Sequence, residues 1–132
     1  MKAIDTNVLI RFLVKDDDKQ AESVYRLFKK VESQKEALFV PLAVVLETIW
    51  VLESVYNVSR QEILDSIDAL ILMPVLDFES QPAIIGFVSS ARETRIDLSD
   101  LLIAHSATFS GCEYTLTFDK QASDSGLFEL LK

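Results

Sequence analysis

The sequence predicts an α/β protein: a short parallel sheet with helices on both faces. Two observations carry this. Compact apolar or β-rich runs at residues 37–40, 75–78 and 113–117 read as strands, and they are continuous rather than alternating, as strands buried on both faces should be. Stretches of helical periodicity separate them, so strands and helices alternate, the pattern of parallel strands joined by helical crossovers. A chain of 132 residues with 49% hydrophobic content is the size of one domain and can build a real core.

The elements follow in order. Residues 2–5 read as a strand leading quickly into a helix. Residues 19–33 are helical, because Ala21, Val24, Tyr25, Phe28 and Val31 recur on one face, with Asp17 or Asp18 as N-cap. After the strand at 37–40, Pro41 opens a long apolar helix ending near Tyr56. Ser59-Arg60-Gln61-Glu62 is a capping box for a helix reaching about Leu72. A strand at 75–78 precedes a helix from Pro82 to about Thr94. Ser99 is the expected cap of a helix ending at Phe109, with Gly111 as its stop. A strand at 113–117 and a last one at 127–131 complete the set.

Net charge is −8 with one cysteine. The charge argues against a protein that coats nucleic acid by bulk attraction, while leaving local binding of a polyanion open. A single Cys112 cannot form an internal disulfide, and a reducing, cytoplasmic setting is expected. Asp5 stands where a signal peptide would need its apolar region, and no apolar run approaches the ~20 residues of a membrane span. Asp16-Asp17-Asp18 reads as a solvated turn.

Among 21 acids, the informative ones sit where acids are costly or where ligands bind. Asp5 ends the first strand, the edge at which α/β sheets bind ligands, yet Asp5-Thr6-Asn7 is equally a helix cap. Glu47 has only Ala43, Val44, Trp50 and Val51 at helical spacing, so a buried acid without a basic partner is expected. Asp100 lies in a first helical turn, where the helix dipole alone accounts for it, and Asp97 either caps that turn or joins the site. Asp119 follows a strand as Asp5 does, or is an ordinary turn residue. Carboxylates brought together repel. Hard divalent cations relieve that repulsion, and the chemistry they most often support is phosphodiester hydrolysis.

Other chemistries fit less well. His105 is expected to be structural or exposed, and Cys112 to be a buried inert thiol. No phosphate-cradling glycine loop is present. Tyr25, Phe28, Trp50 and Phe109 are expected in the core or an interface.

Ile4-Asp5-Thr6-Asn7-Val8-Leu9-Ile10-Arg11 resembles the opening of PIN-domain proteins, most of all the VapC-type toxins of bacterial toxin–antitoxin pairs. Leu46-Glu47-Thr48, the block from Asp97 to Ala104, and Thr117-Phe118-Asp119-Lys120 agree in order, so the resemblance spans nearly the whole chain. It implies a three-layer α/β/α sandwich with a short central parallel sheet, as one PIN-like nuclease domain over 1–132. The implied activity is Mg²⁺- or Mn²⁺-dependent cleavage of RNA, by a homodimer with an antitoxin protein as partner. The implied catalytic, metal-holding acids are Asp5, Glu47, Asp100 and Asp119. Thr6, Asn7 and Thr117, with Asp97, would orient them, and Arg11 and Lys120 are candidates for phosphate contact. Residues 57–94 carry no motif residue.

Three alternatives stand beside this reading. An aspartate-nucleophile phosphatase would want a second Asp where Asn7 stands. A PIN-fold binding module without activity would have no use for the acids. A housekeeping RNA-processing nuclease would need no antitoxin.

Overall fold

A computed structural model describes residues 1–132, which divide into two compact units, Met1–Glu79 and Ser80–Lys132. The first unit is β1 (Lys2–Ala3), α1 (Thr6–Val14), α2 (Asp18–Ser33), β2 (Leu38–Val40), α3 (Leu42–Ser54), α4 (Arg60–Ile71) and β3 (Leu76–Phe78). Its strands form a parallel sheet in the order β1-β2-β3, in register through Ala3, Phe39 and Asp77. Each connection runs through two helices, as parallel pairing requires. The α/β architecture with helices flanking a parallel sheet is the one expected.

The second unit is α5 (Gln81–Glu93), α6 (Leu98–Phe109), β4 (Thr115–Thr117), α7 (Lys120–Ser123) and β5 (Phe128–Leu130). Here β4 and β5 pair in parallel, so the strands form two hydrogen-bonded sheets rather than one. The four-residue α7 was not anticipated, since one turn is too short to show a period.

Sequence signals set most helix starts. Asp17 caps α2 by accepting from the Gln20 N–H at 3.0 Å, and Ser59 caps α4 by accepting from the Glu62 N–H at 3.2 Å. Of the two cap formers the sequence offers for α6, Asp97 rather than Ser99 is the cap: it accepts from the Asp100 N–H at 3.2 Å, and the helix starts at Leu98. The aspartate run is likewise more than a solvated turn, because Asp16 pairs with Arg11 and Asp17 is a cap.

In α3, buried Val45, Thr48, Ile49 and Leu52 form one stripe. Thr48 Oγ1 is buried with no hydrogen-bond partner. Its side chain borders a cavity of about 10 Å³ walled by Leu9, Ile49, Leu52, Ile67 and Phe78. That space is at the lower limit for one water and offers it almost nothing polar to bond. Thr48→Val keeps the shape and removes the orphaned hydroxyl. It is expected to raise stability by about 1 kcal/mol, read as a higher denaturation midpoint at unchanged m-value.

Helices α5 and α6 come close at Gly86. A Cβ there would stand 2.9 Å from His105 Nδ1, and the His105 ring is held by a 2.7 Å hydrogen bond between Nε2 and Ser90 Oγ. Burial also holds the imidazole pKa below its ordinary value. His105 is thus structural, as expected. Gly86→Ala is expected to cost about 1–3 kcal/mol by overpacking, despite alanine's better helix propensity. In a double-mutant cycle with His105→Ala the two changes should couple strongly, since the small side chain removes the clash; additive costs would refute this account.

Candidate active site

Three of the acids in question are helix caps. Asp5 follows buried Ile4, is exposed, and accepts the Val8 N–H on Oδ1 at 3.1 Å at the start of α1. Asp119 Oδ1 accepts from Gln121 N at 2.9 Å and Ala122 N at 3.4 Å, opening α7. Its own N–H is bonded by Thr117 Oγ1 at 3.0 Å, so Thr117 fixes the backbone from which this carboxylate projects. Asp97 commits Oδ2 to the turn beneath Asp100. In each case the second carboxylate oxygen is left over by the cap.

Asp100 is the electrostatic outlier. Its carboxyl is held above the ordinary value of 3.8, first by burial, then by the negative charges of Asp97 and Asp119. The second unit therefore brings three acids within each other's field: Asp97, Asp100 and Asp119.

In the first unit, Glu47 departs from expectation. It is exposed, not buried, together with Ala43 and Trp50 on the same face of α3. The apolar neighbours were read correctly, but they form the outward face of a helix that is apolar nearly all round. Tyr25, Trp50 and Phe109 are likewise exposed rather than core, whereas Phe28 is buried and packs on Phe12 with ring centroids 5.0 Å apart. Cys112 is exposed, which corrects the expectation of a buried thiol. Thr6 is buried, while Asn7 and Lys120 are exposed.

Arg11 carries a cluster that sequence reasoning missed. Its Nε donates to Gln20 Oε1 at 2.6 Å, and its Nη1 to Asp16 Oδ1 at 3.3 Å and to the Tyr56 hydroxyl at 3.4 Å. That hydroxyl donates in turn to Asp16 Oδ2 at 2.8 Å. No periodicity marks such a set; an arginine three residues beyond Val8 on the Asp5 face of α1 was the sole hint.

No three His, Cys, Asp or Glu side chains are arranged as a ready-made metal cage. The donors present are nonetheless carboxylate oxygens, and the mutual repulsion recorded at Asp100 is what a hard dication relieves. Magnesium needs only one or two protein carboxylates, with waters and phosphate oxygens completing its shell. The residues therefore fit such an ion.

Parallel α/β construction with acid-capped helices after β1 and β4 defines a class of acidic-site α/β proteins. The chain matches the PIN domain family over residues 2–125 and belongs to that family. It is also 25% identical over 126 residues to a VapC ribonuclease of Aquifex aeolicus (strain VF5), an alignment covering 96% of this chain and 93% of that protein. No helix is long and apolar enough to cross a membrane.

A pH prediction follows from Asp100. Its folded pKa is raised, so below 3.8 the carboxyl is neutral whether the chain is folded or not, and no stability is lost there. As pH rises through the raised value, ionisation costs the native state. Asn mimics the neutral carboxyl, so without metal Asp100→Asn should melt above wild type at neutral pH and lose that advantage at acid pH. Solvent screens this carboxyl, so the gain is expected to be about one to two degrees. Thermal melts at several pH values measure it.

Proposed function

We propose that the chain is a divalent-metal-dependent endoribonuclease acting as the toxin of a toxin–antitoxin pair. The observation that carries this is Asp100, whose carboxyl is held up by burial and by Asp97 and Asp119. In a PIN-family chain, an acid whose ionisation is opposed by burial and by two neighbouring carboxylates is a candidate cation site. The toxin assignment rests on the match to the VapC ribonuclease, at 25% identity over nearly both lengths.

In this reading Asp5, Glu47, Asp100 and Asp119 hold Mg²⁺ or Mn²⁺, by their match to the family's four acidic positions. Bound there, the ion supplies an activated water and steadies the phosphodiester oxygens. The residues do the rest. Asp5 and Asp119 are fixed by their caps, each offering its second oxygen. Thr117 holds the Asp119 backbone, and Asp97 holds the turn carrying Asp100. Thr6 and Asn7, beside Asp5, orient ligands and waters, and Lys120, which is exposed, contacts phosphate.

The partners in this reading are RNA, an antitoxin and a second copy of the chain, in the cytoplasm. With a net charge of −8, a basic inhibitory segment suits this surface, with Tyr25 and Trp50 available as exposed anchors.

Purified protein should cleave RNA with Mg²⁺ or Mn²⁺ and stop in excess chelator. Asp5→Asn and Asp100→Asn should fold normally and lose about a hundred-fold or more of the activity, at or beyond the upper range for residues that merely support a metal site. Induced in a cell, wild type should arrest growth, and co-expression of the neighbouring small gene should relieve the arrest. Full cleavage in chelator would refute the metal mechanism. Harmless high expression of an active enzyme would leave an RNA-processing nuclease in place of a toxin.

A further inference from the structure

The first unit holds a cleft of about 290 Å³ between α1 and α2; Asp5 and Asn7 on its lining belong to the metal site proposed above, and Arg11 is the phosphate-contact candidate of the family resemblance. Asp5, Val8 and Arg11 line one wall at three-residue spacing along α1, while Gln20, Ser23 and Val24 line the other from α2. Asn7 stands at the rim next to Asp5.

Arg11 is what gives the cleft a chemistry. Three hydrogen bonds fix its guanidinium through Nε and Nη1, and Nη2 makes none. Its side chain is 24% exposed. The Asp16 charge is shared, because Oδ1 accepts from Arg11 while Oδ2 accepts from Tyr56. The result is a guanidinium held in place against Asp16, with Nη2 unbonded, on the lining of a cleft shared with Val8, Val24 and the Asp5 carboxylate. An immobilised guanidinium loses little side-chain freedom when it meets an anion, and its planar fork matches phosphate. Val8 and Val24 suit the flat face of a base or ribose, and Asn7, Ser23 and the exposed edge of Gln20 suit its polar rim.

We propose that this cleft binds one nucleotide unit of single-stranded RNA flanking the scissile phosphate, with Arg11 Nη2 donating to its backbone phosphate. The proposal rests on the nuclease reading above and adds a substrate subsite to it. It also explains how a chain of net charge −8 holds a polyanion at all. Bulk attraction is missing, so affinity has to come from a fixed donor in a shaped cleft.

The test is equilibrium binding of a fluorescent single-stranded RNA of about ten nucleotides, with Mg²⁺, in the Asp100→Asn background so that the RNA stays whole. Ser23→Trp, at an exposed position, fills the cleft, and Arg11→Lys keeps the charge but loses the fork. Each should weaken RNA binding by about ten-fold, the loss expected for one charge-assisted contact or one excluded group. In otherwise wild-type protein, each should raise KM far more than it lowers kcat and should leave the gain in melting temperature with Mn²⁺ intact.

Unchanged RNA affinity in both variants, while wild type cleaves RNA, overturns the subsite and leaves the nuclease reading standing. Absence of both cleavage and a Mn²⁺ effect in wild type removes the nuclease reading and the subsite with it. If Ser23→Trp leaves RNA binding intact but abolishes binding of a basic antitoxin-derived peptide, the cleft is a peptide groove and the proposal fails.

Discussion

A carboxylate that caps a helix has one oxygen tied to the backbone and one left free, and three of this chain's acids are divided in that way. Asp5 gives Oδ1 to α1 and Asp119 gives Oδ1 to α7. Asp97 gives Oδ2 to the turn that carries Asp100. A cap contributes about 1 kcal/mol to its helix. More to the point here, it fixes the rotamer, so the remaining oxygen has a set direction before any cation arrives. The competing readings at Asp5, cap or ligand, are therefore not exclusive. In the proposed metal site, the hydrogen bond that makes it a cap would also hold its other oxygen ready as a ligand.

This division also explains which parts of the protein the sequence discloses. Caps are local, so Asp17 and Ser59 can be read from three or four residues, and the helices they open fall where expected. At α6 two cap formers, Asp97 and Ser99, stand two residues apart, and local chemistry alone does not choose between them. The longer carboxylate side chain at Asp97 reaches the Asp100 N–H and wins. A single turn such as α7 has no period to detect, although Asp119 was singled out for its place after a strand.

Glu47 shows a different limit. An acid among apolar neighbours reads as buried only when one face of the helix is clearly polar and the other clearly not. In α3 almost every residue is apolar, so sequence does not say which stripe turns inward. The structure buries Val45, Thr48, Ile49 and Leu52, a polar residue among them, and turns Ala43, Glu47 and Trp50 outward. The Arg11 cluster is hidden for a related reason. Its members lie on α1, in the turn before α2, on α2, and beyond the end of α3, and only the fold brings Gln20, Asp16 and Tyr56 to one guanidinium. The family resemblance named Arg11 without supplying these partners.

Asp100 differs from the other acids in what supports it. Asp5, Asp97 and Asp119 each accept backbone N–H groups on the carboxylate. Asp100 contributes its own N–H to Asp97 and accepts nothing on its carboxyl, while burial and two neighbouring charges oppose its ionisation. A protein selected for stability alone would place a neutral side chain there, and the first turn of α6 would lose little. In the proposed metal site a cation beside Asp100 would offset that opposition, so that occupancy by metal and ionisation of Asp100 would form one coupled equilibrium.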